Sequence, residues 1–114
     1  MKKILVFGAS EGGQNYLKTL SNTEEVIAFC DNDINKVGKT IGGIPIISSQ
    51  QLLSIPFDKV VVASEFVSDI FDQLKDLGVD TKKIVLAKSQ LNISAKNAKL
   101  QDFETVGSRV ETIG

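Results

Sequence analysis

The run Ile4-Leu5-Val6-Phe7, bounded by Lys3 and Gly8, passes directly into Ala9-Ser10-Glu11-Gly12-Gly13, and a second apolar run ends 23 positions after Gly8 at Asp31. A run apolar at every position is a strand buried on both faces, as in a parallel sheet, not one edge of a half-exposed layer. A buried strand, a glycine turn, a helix start and an acid after the next strand form a nucleotide-binding layout. Gly8 permits the sharp turn, and Gly13 lacks the side chain that would hold the first helix away from the sheet. Backbone N–H groups and the helix start then face an anion, so a phosphate or pyrophosphate at residues 9 to 13 is the natural ligand.

Two residues modify that layout. Ser10 stands at the middle position of the G-x-G-x-x-G pattern, where its Cβ limits the approach of a pyrophosphate but its hydroxyl supplies a hydrogen bond in exchange. Asp31, next to Asn32, is expected beside a ribose, accepting from both hydroxyls and repelling a 2′-phosphate, which favours NAD or another unphosphorylated ribose over NADP. Packing alone also produces strand-glycine-helix turns, so it is Asp31 in the expected place that gives the motif its weight.

Further along, Val26 to Cys30 is the second strand, ending in the turn cluster Asp31-Asn32-Asp33. Residues 34 to 43 read as a loop, and Ile44-Pro45-Ile46-Ile47 as a short strand confined by its proline to an edge or strand start. Lys59 to Ala63 is a further buried strand and Ile84 to Ala87 a fifth. Helices are expected from about Gly12 to Leu20, over Ser49 to Leu53, and from Val67 to Leu77, where Val67, Ile70, Phe71, Leu74 and Leu77 share a face and Gly78 follows the end. The alternation predicts an α/β fold, a Rossmann-like three-layer sandwich on a mostly parallel five-stranded sheet of order 3-2-1-4-5. Residues 1–90 make one nucleotide-binding domain, and 91–114, where the pattern weakens, a C-terminal helix or the start of a further domain.

Ser64 and Glu65 follow the strand expected at the sheet centre, on the side where open α/β sheets bind ligands. Ser64 therefore either lines the pocket or caps the helix that begins near Phe66. Cys30 reads as a small core residue, since no His or Arg stands near it to lower its pKa. Tyr16 with Lys18 does not make a Tyr-x-x-x-Lys pair.

Composition removes other classes. At 114 residues the chain has room for one core, and 42% hydrophobic with 24% charged residues is ordinary globular usage. Thirteen Lys and Arg against fourteen Asp and Glu give no basic field for nucleic acid or an anionic membrane. No apolar run nears the roughly 20 residues of a membrane span, and the apolar stretch after Met1-Lys2-Lys3 breaks at Gly8, so the chain reads as cytoplasmic. There is no His, Cys30 is the single thiol and Arg109 the single Arg, which removes zinc clusters, disulfides and an arginine clamp near the turn.

Taken with Lys36-Val37-Gly38 and Ile41-Gly42-Gly43-Ile44-Pro45-Ile46, the stretches Ile4 to Gly13 and Val26 to Asp33 resemble the Rossmann-type N-terminal domain of bacterial polysaccharide-biosynthesis proteins. That group includes nucleotide-sugar dehydratases, epimerases and 4-dehydrogenases, and similar modules precede sugar acetyltransferases and methyltransferases. The resemblance covers about residues 3 to 90, although the family commonly has glycine where Ser10 stands. It implies ligand contacts at Gly8, Ser10, Gly12, Gly13 and Asp31; with their neighbours the candidate site is Gly8, Ala9, Ser10, Glu11, Gly12, Gly13, Asp31, Asn32 and Ser64.

Three functions stay open: a module that binds NAD or a nucleotide sugar without catalysing alone; a fragment of an NAD-dependent nucleotide-sugar oxidoreductase, its proton-transfer candidates being Tyr16, Lys36 and Glu65; and a ligand-free interaction domain. The expected partner is a nucleotide or nucleotide sugar, with no nucleic acid and no membrane contact; a homo-oligomer and a further C-terminal domain are left open.

Overall fold

Strand β1 (Lys2–Phe7) runs through the middle of the sheet, and Ile4 to Phe7 are at most 2% exposed. The computed structural model describes residues 1–87 and the backbone of Glu104–Val106. After β1 come α1 (Glu11–Leu17), β2 (Glu24–Cys30), β3 (Thr40–Ile41), β4 (Ile44–Ile47), α2 (Ser49–Leu52), β5 (Lys59–Val62), α3 (Val67–Asp76), a 3-10 turn at Thr81–Lys83, β6 (Ile84–Ala87) and β7 (Glu104–Val106). Six strands run parallel in the order β4-β2-β1-β5-β6-β7, and β3 pairs antiparallel with β4 at the outer edge.

The sheet thus departs from the five-stranded order expected from the sequence. It is mixed, and it carries one more strand at each edge. Gly42 and Gly43, with φ of +56° and +82°, make a two-residue hairpin loop that turns part of the expected 34–43 loop into β3. Pro45 stands opposite Thr40 in this hairpin, where the missing N–H is tolerated. At the other edge β7 is only three residues long, too short for periodicity to reveal. The rest of the 91–114 segment lies outside the described residues, and with it the division expected near residue 90.

Alternation along the strands sorts the core into two layers. Leu5 and Phe7, with Ala28, Val60, Val62 and Leu86, face Leu52 of α2 and Val67, Ile70, Phe71 and Leu74 of α3. Ile4 and Val6, with Phe29, Val61 and Val85, face Tyr16 of α1. Helices therefore cover both faces, which is why Ile4 to Phe7 of β1 and Val60 to Val62 of β5 are apolar at every position: each such side chain contributes about 1.5–3 kcal/mol on leaving water.

Helix α3 matches its sequence pattern and ends as expected. Gly78, with φ +97°, donates to the Lys75 carbonyl while Val79 donates to that of Leu74, the double closure that only a left-handed residue allows. Helix α1 is shorter than the expected Gly12–Leu20. Lys18, Thr19 and Leu20 make i−3 bonds instead of i−4, and the Thr19 hydroxyl donates to the Tyr16 carbonyl at 2.8 Å, competing for the acceptor that would continue the helix.

Candidate functional site

The ends of β1, β2 and β5 are laced together at one point. Gly8 N–H donates to the Cys30 carbonyl at 2.8 Å and Ala63 N–H to the Phe7 carbonyl at 2.9 Å. Gly8 has φ +120°, and a Cβ on it would come within 2.8 Å of the Ala63 carbonyl oxygen. At Gly13 the constraint is contact rather than conformation: a Cβ there would lie 1.9 Å from the Gly8 carbonyl oxygen and 3.2 Å from the Phe29 ring. The two glycines let the turn fold down onto the strand ends, and a cavity of about 840 Å³ opens above them.

Asp31 organises the opposite wall. Its Oδ2 accepts from Ala9 N–H at 2.9 Å and its Oδ1 from Asp33 N–H at 2.8 Å; Asp33 Oδ1 in turn accepts from Asn35 N–H at 2.9 Å. These are two consecutive Asx turns, the local structure that short acids favour, and they bend the chain back on itself. The bend brings Lys36 over the glycine turn, where its Nζ donates to Ser10 Oγ and stands 4.0 Å from Asp31 Oδ2. With the lysine side chain 35% exposed, this ion pair is worth at most about 1 kcal/mol. Asn32 is held by a reciprocal amide pair with Gln73 of α3, both bonds 2.9 Å, which joins the β2 loop to the helix after β5.

Of the residues expected at the site, Gly8, Ser10, Glu11, Gly12, Asp31, Asn32 and Ser64 line this cavity. Ala9 and Gly13 lie beneath it: Ala9 is 5% exposed in the α1 core layer, and Gly13 is a packing position. Ser64 lines the cavity and also accepts from Phe66 N–H at 3.2 Å; it stands three residues before α3, whose N-cap is Phe66. Glu65 and Lys36 line it as well, whereas Tyr16 is buried in the layer under α1. Burial, helped by the charge of Glu24, pushes the Tyr16 hydroxyl up to about 12. Cys30 is likewise a core residue, its thiol raised to about 12 by burial and then by neighbouring Asp31.

Sequence reasoning did not foresee Asn15, Phe66, Asp69 and Ile70 on the wall. The last two lie within the first turn of α3, three and four residues after Phe66, the spacing that puts residues on one helix face. Among the described lining residues Glu11, Asp31, Glu65 and Asp69 are acidic and Lys36 alone is basic. Such a wall suits a ligand rich in hydroxyl donors and disfavours one with many phosphates.

A mostly parallel sheet covered by helices on both faces, with a polar cavity at the carboxyl ends of its parallel strands, defines an open α/β domain of the type whose ligands sit at that edge. Residues 1–85 match the C2185-like N-terminal domain, and the chain belongs to that family. It is similar to the crystal structure of UDP-D-quinovosamine 4-dehydrogenase from Vibrio fischeri, at 25% sequence identity and a TM-score of 0.59 over 82% of this chain and 85% of that one. A search of curated proteins gave no match. No helix among the described residues is long and apolar enough to cross a membrane.

Proposed function

We propose that this domain is a Rossmann-like module that binds a nucleotide sugar in the cavity above the Gly8 turn, within a surface-glycan biosynthesis protein, and that it is not catalytic alone. The observation that carries this reading is the convergence of Ser10, Asp31, Lys36 and Ser64 on one cavity at the carboxyl ends of β1, β2 and β5. Its volume of about 840 Å³ falls within the roughly 300–1,000 Å³ of ordinary ligand sites. Each Asp31 oxygen already holds one backbone N–H and keeps a second lone pair for a ribose hydroxyl. Lys36 is the group able to meet a phosphate, and Ser10 Oγ, its present partner, can turn to the same ligand. The nucleotide-sugar substrate named for the Vibrio fischeri neighbour supports the same ligand class.

An oxidoreductase reading draws on the dehydrogenase activity named for that neighbour, and Lys36 and Glu65 on the cavity wall are the groups it would use. The residues also fit NAD as far as the Gly8 turn and Asp31 go; bound there, NAD would supply hydride transfer, while the chain's own part would be to orient its ribose at Asp31.

A thermal-shift and calorimetric screen of a UDP-sugar, UDP, NAD, NADP and coenzyme A tests these readings. A ligand at a hundred times its Kd stabilises the fold by about 2.7 kcal/mol, a rise of roughly 10 °C or more for a domain of this size. A shift with the UDP-sugar that exceeds that with NAD supports the proposal, and hydride transfer to NAD in the presence of the sugar promotes the oxidoreductase. No shift with any nucleotide at millimolar concentration refutes both.

A further inference from the structure

We propose that Phe66 is the platform on which the heterocyclic base of the nucleotide stacks, an inference that rests on reading the cavity as a nucleotide site. Phe66 lines the cavity while remaining 63% exposed, so its ring is held in water at a cost the protein core does not recover. The other large exposed hydrophobics among the described residues, Met1, Ile34 and Leu53, all lie off the cavity wall.

Local structure gives no reason for an aromatic at this position. Phe66 is the N-cap of α3, with φ −89° and ψ 50° and no side-chain cap bond, where Ser, Thr, Asp or Asn would accept a free helix N–H. The chain thus forgoes both a cap and a buried ring. One turn along α3, Ile70 also lines the cavity and is 5% exposed, so it and Phe66, four residues apart on one helix face, make a continuous apolar wall.

The wall contrasts with the remainder of the cavity, where Ser10, Asp31 and Lys36 present polar groups from the glycine turn and the β2 loop. A nucleotide divides in the same way, its planar base apolar on its faces and its ribose and phosphates polar at their edges. A base laid on Phe66 covers the exposed ring, and stacking is largely indifferent to base identity because every base offers a π-face.

The chain contains no Trp, so Phe66→Trp introduces a single tryptophan at the proposed contact, excited apart from Tyr16 at the red edge of its absorption band. Affinities of the full chain for UDP and for a UDP-sugar are measured by calorimetry in the wild type, Phe66→Ala, Phe66→Tyr and Phe66→Trp, with circular dichroism melts to verify folding. Phe66→Ala is expected to weaken both ligands alike by roughly 5- to 150-fold. The two aromatic variants should bind within a few-fold of wild type, and UDP should quench the new tryptophan.

Wild-type binding that is unchanged in Phe66→Ala overturns the platform while leaving the nucleotide site intact. A loss confined to the UDP-sugar also overturns it, since the ring would then serve the sugar rather than the base. Failure of the wild type to bind either ligand overturns the site itself, and the platform with it.

Discussion

Gly13→Ala tests the seating of α1 on the sheet. The new methyl would stand 1.9 Å from the Gly8 carbonyl oxygen, a backbone atom fixed at the end of β1, so no side-chain rotation relieves the contact. Reaching even a 3.0 Å separation requires α1 to retreat by about 1.1 Å, which opens the layer that Tyr16 makes with Ile4 and Val6. Overpacking of this kind costs about 3 kcal/mol at the upper end of its usual range, while replacing a helical glycine by alanine returns up to about 1 kcal/mol. The net loss of about 2 kcal/mol corresponds to a melting temperature lower by roughly 8–16 °C. Far-UV circular dichroism melts and urea titrations on wild type and variant measure it. A variant melting within about 4 °C of wild type would show that the helix is not pressed onto the strand end, and the account of the glycine turn would be wrong.

Asp31→Ala leaves the Ala9 N–H without its acceptor and should destabilise the fold by about 1–3 kcal/mol as well as weaken nucleotide binding; Asp31→Asn, which keeps an acceptor oxygen, should recover most of the stability, read by urea unfolding. Lys36→Gln should leave the melting temperature within a few degrees but weaken phosphate-bearing ligands and flatten the salt dependence of their Kd, followed by calorimetry at two ionic strengths. The Cys30 and Tyr16 groups hold their protons more tightly when folded than when unfolded. Their contribution is therefore full below about pH 9 and is lost as pH rises toward about 12, so stability should fall across that window, and Cys30 should resist a thiol reagent at pH 8 until urea is added. For the Asn32 and Gln73 amide pair, a double-alanine cycle should give a coupling of about 1 kcal/mol by urea denaturation.

Much of the fold was legible where burial is two-sided. Ile4 to Phe7, Val60 to Val62 and Ile84 to Ala87 carry apolar side chains at every position because helices cover both faces, and such runs announce themselves without neighbours. The α3 pattern and its Gly78 stop were equally plain. What misled was short structure: the Gly42-Gly43 hairpin hid β3 inside an apparent loop, three residues of β7 carry no period, and one threonine hydroxyl ended α1 early. The departure from the expected order 3-2-1-4-5 arises at the sheet edges, where pairing depends on a turn or on a distant segment rather than on a buried run.

For the site, the amino-acid order alone determined the glycine turn and the acid after the second strand, because backbone conformation and strand burial are local demands that residue type must meet. Only the tertiary structure decided what those residues face. Asx turns at Asp31 and Asp33 swing Lys36 onto Ser10, Gly13 is a contact point under the cavity instead of a wall of it, and Phe66 and Ile70 arrive from the start of α3, more than fifty residues after the glycine turn. Spacing along a chain records what each segment must become, whereas the chemistry of a cavity depends on distances between segments, and those are set when the two core layers close on the sheet.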